Sequence, residues 1–376
     1  MIKVAVIVDS LRVGGAQKLI SAYAASASAH GLSPLILTLR ADGAESILEP
    51  IRAAGIRVIP MLAASIVSIP RLRRLIDILK QEKVDIVQSH LIYSNILGAL
   101  AAHFAGIPAI ATLHSTSVRG DTKSRVLKGV EQLVLRSLAT RILAVGRVVA
   151  EFHRGNYGDR RIDVIPNGVP QSEPPSRPDR DRLRHVLTGN GSGPIIITVG
   201  RFSQAKGYED MLEAFHLLRQ RDLHPKLLMV GSGGRLNSIQ ARIEELNLTQ
   251  YVILAGERAD IPQLLALSDV FASSSHREGL PLAVLEAMMA GLPVVATSVG
   301  DIPNVVTEET GVVVPPHRPD LLAAALEDLL KNPGKRSAMG EAAHRRALDE
   351  YSLEIWMKRH RELYRDVLST EGRGRS

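Results

Sequence analysis

Two carboxylates, Glu278 and Glu286, bracket the turn Gly279-Leu280-Pro281-Leu282, and the run from Ala283 to Met288 is apolar apart from Glu286. Pro281 suits the first position of a helix, where a missing N–H costs nothing. The N–H groups of that first turn are then unpaired, and with the helix dipole they form a site for phosphate or pyrophosphate. A carboxylate placed there cannot hold the phosphate; its chemistry is to accept hydrogen bonds from sugar hydroxyls. A helix start flanked by two such carboxylates is what a nucleotide-sugar site needs. The plainer reading of each glutamate is a helix-start acid that complements the dipole.

Fixed cations would complete that site. Arg201 and Lys206 follow the apolar stretch Ile195–Val199. Breaking a sugar–phosphate bond leaves negative charge on a nucleoside diphosphate, which cations and N–H donors stabilise in a dry site better than water does. The plainer reading is two solvated surface charges. Gly200, Gly231, and the pair Gly14 and Gly15 also follow apolar stretches, where glycine lets backbone approach a ligand closely. Neither Gly14-Gly15 nor Gly231-Ser232-Gly233-Gly234 fits G-x-G-x-x-G, so no dinucleotide fingerprint is present. His114 and His90 end two more such stretches, each a sugar-facing or acceptor-side group or a satisfied core histidine.

The elements that must position these residues alternate strand with helix in both halves, which implies two doubly wound parallel sheets. Strands are expected at Lys3–Val8, Pro34–Leu39, Arg57–Ile59, Ile86–Gln88, Ala109–Leu113, Arg141–Ala144 and Asp163–Ile165. In the second half they are expected at Ile195–Val199, Lys226–Val230, Val252–Ala255, Val270–Ala272, Val294–Ala296 and Gly311–Val314. Ligands of such sheets bind beyond the carboxyl ends of the strands, so motifs at strand ends in both halves predict an α/β protein whose two Rossmann-like domains face one cleft. The Pro-, Ser- and Gly-containing stretch 171–194 reads as the linker between domains 1–170 and 195–351. The chain is helical from about Pro319, with a last helix over 352–369 and a polar, glycine-rich tail, 370–376, expected to be disordered.

The ordered set of motifs resembles the retaining glycosyltransferases of family 4, which have the GT-B fold. Glu278 and Glu286 form the family's Glu-x7-Glu signature, and Gly14-Gly15-Ala16-Gln17 is similar to its Gly-Gly-Ala-Glu turn. Pro166-Asn167-Gly168-Val169, Gly200-Arg201, Lys206-Gly207 and Gly231-Ser232-Gly233 fall where the family has its own versions, so the resemblance covers nearly the whole chain. It implies that Arg201 and Lys206 clamp the donor diphosphate, that Glu286 binds the ribose, and that Glu278 faces the transferred sugar. It implies further that His114 lies near the donor sugar, that Glu257 and Arg258 belong to the base-contacting loop, and that the last helix crosses back to an acceptor-side first domain. Where the family usually has Gly-Gly-x-x-Glu, this chain has Gly300-Asp301-Ile302-Pro303-Asn304, which bears on donor choice more than on reaction class. Asp179-Arg180-Asp181 is formally a metal–nucleotide motif of another transferase fold, but acids at a helix start explain it better.

Composition bounds the rest. At 376 residues the chain exceeds one ordinary core, and its 45% hydrophobic and 23% charged content is that of a globular protein. No cysteine is present, which excludes disulfides, thiolate metal sites and cysteine nucleophiles and fits a cytoplasmic setting. The opening residues read as a buried strand rather than a signal peptide, and no apolar run is long enough to span a bilayer. Residues 1–170 hold 21 basic and 12 acidic side chains, a net of +9, whereas the rest nets −2. A basic half predicts an anionic acceptor or a peripheral place on an anionic membrane face. With 3% aromatics and no basic–aromatic interleaving, nucleic acid is not expected as a partner. Two amphipathic basic segments, Arg71 to Lys80 and Arg119 to Arg136, are candidates for lipid contact; Lys123, Arg125 and Lys128 are the cations of the second. The alternative for each is a surface helix with its apolar face in the core.

The expected activity is therefore transfer of a sugar from a UDP- or GDP-linked donor to a lipid-linked or cell-envelope acceptor, with no metal and no other cofactor. The rival expectation is a GT-B protein of different activity, such as an epimerase or a sugar-nucleotide-binding partner subunit.

Overall fold

The computed structural model describes residues 1–63, 68–116, 122–171, 176–188, 193–221 and 223–373. The chain divides into two compact units, one made of Met1–Gly168 with Leu353–Ser376, the other of Val169–Ser352.

The first unit runs β1 (Ile2–Val8), α1 (Gly15–Ser26), β2 (Leu32–Thr38), α2 (Glu45–Ala53), β3 (Val58–Pro60), α3 (Ile69–Gln81), β4 (Ile86–His90), α4 (Ile92–Ala105), β5 (Ala109–Leu113), α5 (Thr122–Leu138), β6 (Arg141–Ala144), α6 (Arg147–His153) and β7 (Ile162–Val164). The strands lie in the order β3-β2-β1-β4-β5-β6-β7, all parallel. Central strands such as Ala109-Ile110-Ala111-Thr112-Leu113 are buried along their whole length, because helices cover both faces of a parallel sheet.

The second unit opens on α7 (Arg177–Thr188), inside the stretch read as a linker. It continues β8 (Ile195–Val199), α8 (Tyr208–Arg219), β9 (Lys226–Val230), α9 (Leu236–Glu245), β10 (Val252–Gly256), α10 (Ile261–Ala266), β11 (Val270–Ser273), α11 (Leu282–Met289), β12 (Val294–Thr297), α12 (Ile302–Val305), β13 (Gly311–Val314), α13 (Pro319–Lys331) and α14 (Pro333–Tyr351). Its strand order is β10-β9-β8-β11-β12-β13, again parallel. Arg184 ties α7 down by donating to the Leu267 and Gly193 carbonyls, both at 2.7 Å, and to Asp269 at 3.1 Å. Asp179 and Asp181 are exposed in the first turns of α7, where acids complement the dipole.

The last helix, α15 (Leu353–Arg373), packs on the first unit. It buries Trp356, Met357, His360, Tyr364 and Val367. Trp356 meets Tyr23 edge-on with ring centroids 6.0 Å apart, and the Tyr364 hydroxyl donates to Gln88 of β4. The helix continues past Leu368 and Thr370, which corrects the expected start of a disordered tail. Thr370 stays inside it by donating its hydroxyl to the Asp366 carbonyl at 2.9 Å.

In each sheet the strand order reverses direction beside its first strand, between β1 and β4 and between β8 and β11. Those switch points are where doubly wound sheets leave a crevice beyond the strand ends. The candidate residues of each unit gather there.

Candidate functional site

In the second unit, Gly200 and Arg201 directly follow β8, and a single 3-10 turn, Gln204–Lys206, leads into α8. The loop after β11 runs alongside it. His276 N–H donates to the Ala205 carbonyl at 2.8 Å, and the Ser274 hydroxyl to the Lys206 carbonyl at 3.1 Å. These bonds bring Lys206 and Glu278 together, with Lys206 Nζ 2.6 Å from Glu278 Oε1. The Ser275 hydroxyl donates to the same oxygen at 2.6 Å, and Glu278 Oε2 takes no bond from any described residue. A charge pair this short, with side chains only 23% and 11% exposed, is less screened than a surface pair. The Tyr208 phenol, buried beneath it, is pushed up by burial, with the charge of Glu278 adding to the shift.

Gly231 shows how closely this crevice is built. Its φ is 140°, and a Cβ there would lie 2.0 Å from the Gly200 carbonyl oxygen, so no side chain fits. The Gly231 N–H donates to Gly256 O at 2.8 Å and the Gly200 N–H to Val230 O at 3.0 Å, which together align the loops after β8, β9 and β10. From the second of these loops the Ser232 hydroxyl donates to Glu257 on the third, where Arg258 grips Asp260 through two bonds of 2.8 and 2.6 Å. That grip holds the Asp260 carboxyl below its usual range. Arg201 is exposed.

Pro281 takes the position just before α11 rather than its first helical position. Its ψ of 121° is extended, so the helix begins at Leu282. Glu286 is half-buried on α11 between the buried Leu285 and Ala287, while Gly279 and Leu280 form the approach to the turn. The departures at Asp301 and Asn304 compensate each other. Asp301 is buried, its N–H donates to Gly279 O at 2.8 Å, and the Asn304 amide donates to its carboxylate at 3.1 Å. The amide that stands for a carboxylate thus pairs with the carboxylate that stands for a glycine.

In the first unit, Gly14 caps α1 at the carboxyl end of β1, with Gly15 as the helix's first residue. His90, the last residue of β4, and His114, just past β5, share a hydrogen bond of 2.9 Å between Nδ1 and Nε2. Burial holds His114 down at about 4 and His90 well below its ordinary value, so both rings are neutral near pH 7 and one donates to the other. Leu91, the next residue, has φ 74° and ψ 160°, a region that costs a side-chain-bearing residue of order 1–3 kcal/mol. Asn167 is buried near the end of the unit.

A buried polar network that pattern reading missed supports this end of the sheet. Asp9 accepts from the Ser94 N–H at 3.0 Å and from its hydroxyl at 2.7 Å. Glu131, 1% exposed, accepts from Asn95 at 2.8 Å and from Lys128 Nζ at 2.6 Å. Asp9, directly after an apolar strand, carried a signal; Glu131 carried none, because one acid in an amphipathic helix reads as solvated.

The pairing with Glu131 corrects the place of Lys128, whose side chain is 13% exposed and is spent on a buried acid rather than offered to a surface. Arg119 and the Lys123 side chain lie outside the described residues, and Arg125 is exposed. The same helix exposes Val126, Val130 and Leu133. In α3, by contrast, Leu75 and Leu79 are fully buried, and Arg71 points inward to the Met61 and Leu39 carbonyls.

Comparison with known proteins agrees with the resemblance. Residues 13–173 match Glycosyltransferase Family 4, and residues 179–346 match Glycosyl transferases group 1. The chain is 32% identical over 254 residues to UDP-Gal:alpha-D-GlcNAc-diphosphoundecaprenol alpha-1,3-galactosyltransferase of Escherichia coli, covering 64% of this chain and 65% of that one. It is 30% identical over 317 residues to D-inositol 3-phosphate glycosyltransferase of Salinispora arenicola, covering 77% and 70%. Its fold matches the crystal structure of Anabaena Alr3699/HepE in complex with UDP, with a TM-score of 0.85 at 21% identity over 97% of this chain and 100% of that one. This chain belongs to the group 1, family 4 glycosyltransferases and has their GT-B fold.

Proposed function

We propose that the protein moves a sugar from a nucleotide-diphospho-sugar to a hydroxyl of a lipid-linked or cell-envelope saccharide, with retention of configuration and without a metal. The observation that carries this is the Lys206–Glu278 contact of 2.6 Å beside the start of α11. Lys206 has three N–H donors, and with Arg201 it meets the diphosphate as charge builds on the leaving group. Glu278 Oε2 accepts from a hydroxyl of the transferred sugar, and Glu286 from the ribose. The bond from the anomeric carbon to phosphate oxygen breaks, and the bond to acceptor oxygen forms on the same face. The acceptor proton passes to the departing phosphate oxygen, so no carboxylate nucleophile is needed, unlike in retaining glycosidases. The neutral His90–His114 pair offers a sugar hydroxyl a donor or an acceptor rather than a charge.

The names of two relatives support the substrate class: the Escherichia coli protein's carries a UDP-galactose donor and a diphosphoundecaprenol-linked acceptor, and that of a Mycolicibacterium smegmatis relative a GDP-mannose donor. No described helix is long and apolar enough to cross a membrane. A peripheral place on an anionic leaflet is supported by the +9 half and by α5, where Val126 and Leu133 are 63% and 68% exposed beside Arg125.

The test is turnover in excess EDTA with UDP- and GDP-sugars and a polyprenyl-diphosphate saccharide, read by mass spectrometry and by NMR of the new anomeric centre. We expect a product of retained configuration. Donor consumption that ignores the acceptor would point to the epimerase reading, and activity only with added metal would overturn the metal-free one.

A further inference from the structure

Asp210, His276 and His317 come together from three separate segments of the second unit: α8, the loop after β11, and the loop after β13. His276 Nε2 is 2.8 Å and His317 Nδ1 3.6 Å from the same carboxylate oxygen, Asp210 Oδ2. The two imidazole rings lie with centroids 3.9 Å apart, and all three donor atoms are within 4.8 Å of one another. In a tetrahedral zinc site with bonds of about 2.0–2.1 Å, neighbouring donors stand about 3.3 Å apart, and the two measured separations bracket that value. No other such group of three or more donors is found among the described residues.

Two backbone features shape the cluster. His317 holds a φ of 59°, a left-handed conformation that side-chain-bearing residues seldom adopt. Gly207, with φ 58°, lies directly under the His276 ring; a Cβ there would sit 2.6 Å from His276 Nε2. The glycine leaves the ring room to face Asp210.

From this geometry we infer a second binding site in the protein, for one divalent transition-metal ion of the zinc class, held by Asp210, His276 and His317. Two imidazoles and one carboxylate suit Zn²⁺ and not Mg²⁺ or Ca²⁺, which take oxygen ligands. Three protein ligands leave a fourth position for water. The ion takes no part in sugar transfer, since neither Lys206 nor Glu278 is a ligand. It joins the segment four residues after Lys206 to the segment two residues before Glu278, which the His276 N–H and Ser274 hydroxyl bonds already hold together without the ion. The site stands or falls independently of the proposed transfer.

The test is calorimetric titration of the untagged, chelator-stripped chain with Zn²⁺ alone, with no sugar nucleotide present, backed by Co²⁺ titration followed by visible absorption. We expect one Zn²⁺ per chain, a four-coordinate Co²⁺ spectrum, and at least a tenfold loss of affinity in His317→Ala and in Asp210→Asn. His317 is 67% exposed, so its replacement leaves the fold intact, and His216→Ala serves as the control that should bind like wild type. Absence of binding to the wild type, or equal binding by wild type and His317→Ala, overturns the site. If His317→Ala still unfolds at the wild-type temperature without metal but no longer gains stability with Zn²⁺, the site is confirmed by a readout separate from activity.

Discussion

The two switch-point regions of this chain solve different electrostatic problems. In the second unit a basic and an acidic side chain pair at the crevice, Lys206 against Glu278, with glycine-lined loops held close by backbone bonds. In the first unit the groups at the strand ends are neutral histidines over a buried network that spends its one lysine on Glu131. Fixed charge suits a leaving diphosphate, whose charge grows as the bond breaks. A neutral pair suits hydroxyls, where a charge would only have to be desolvated.

The largest effect expected from this contrast is on turnover. Lys206→Ala should lower kcat by about 100-fold or more, about 3 kcal/mol of transition-state stabilisation, because it removes the cation and leaves Glu278 unpaired. Arg201→Ala should act in the same direction. Steady-state kinetics decides, with circular dichroism to show that the fold is kept. Full activity of the Arg201→Ala, Lys206→Ala double variant would erase the distinction between the two units.

A smaller, more selective effect should separate the two glutamates. Glu286→Ala should weaken binding of free nucleoside diphosphate and of donor alike, since ribose contacts exist in ground and transition states. Glu278→Ala should spare the free diphosphate and harm the sugar-bearing donor. Calorimetry with both ligands reads the difference, and equal losses in both variants would refute the roles.

The neutral side of the comparison predicts a pH response. His114 falls from 6.5 to about 4 and His360 likewise, each through burial, and His90 and His153 are lowered as well. These groups bind protons more readily unfolded than folded. Their stabilisation is therefore complete above about pH 6.5 and is lost as pH falls toward 4. Burial raises the Asp9 carboxyl, which acts in the opposite sense at the acid end. The melting temperature should drop from pH 7 to pH 5, and His114→Asn should flatten that slope. A melting temperature independent of pH in that range would show that the rings are not held neutral.

The smallest effect concerns the surface. At low salt the protein should pellet with anionic vesicles and not with neutral ones, each exposed basic residue near the leaflet contributing about 1 kcal/mol. Changing Val126, Val130 and Leu133 to serine together with Arg125→Glu should reduce pelleting and leave donor binding unchanged. Lys128→Glu should instead destabilise the fold, because Glu131 would lose its partner and gain a like charge. If the wild type ignores anionic vesicles, the acceptor is sought in solution.

Much of this was legible in the chain. Every expected strand forms, within a residue or two at its ends, because strands buried on both faces read as continuous apolar runs. Lys206 and the glycines stood out because each follows such a run, and the glutamates because they bracket the turn that opens α11. Less legible were contacts between distant segments. Ser275 reads as one of three serines, yet it holds Glu278 Oε1. Glu131 and Lys128 looked like helix-surface charges, and only the packing of α5 on α4 buries them. The helix at 177–188 was masked by a polar composition rich in charge, although Arg184 anchors it through three bonds.

The central claim is that the second unit binds a nucleoside diphosphate through Lys206 and without a metal. Calorimetric titration of wild type and Lys206→Ala with UDP and with GDP, in excess EDTA, tests it most directly. The wild type should bind one of the two in EDTA, and the variant should bind it at least tenfold more weakly. Binding that requires added metal, or equal affinity in the two proteins, would contradict the claim.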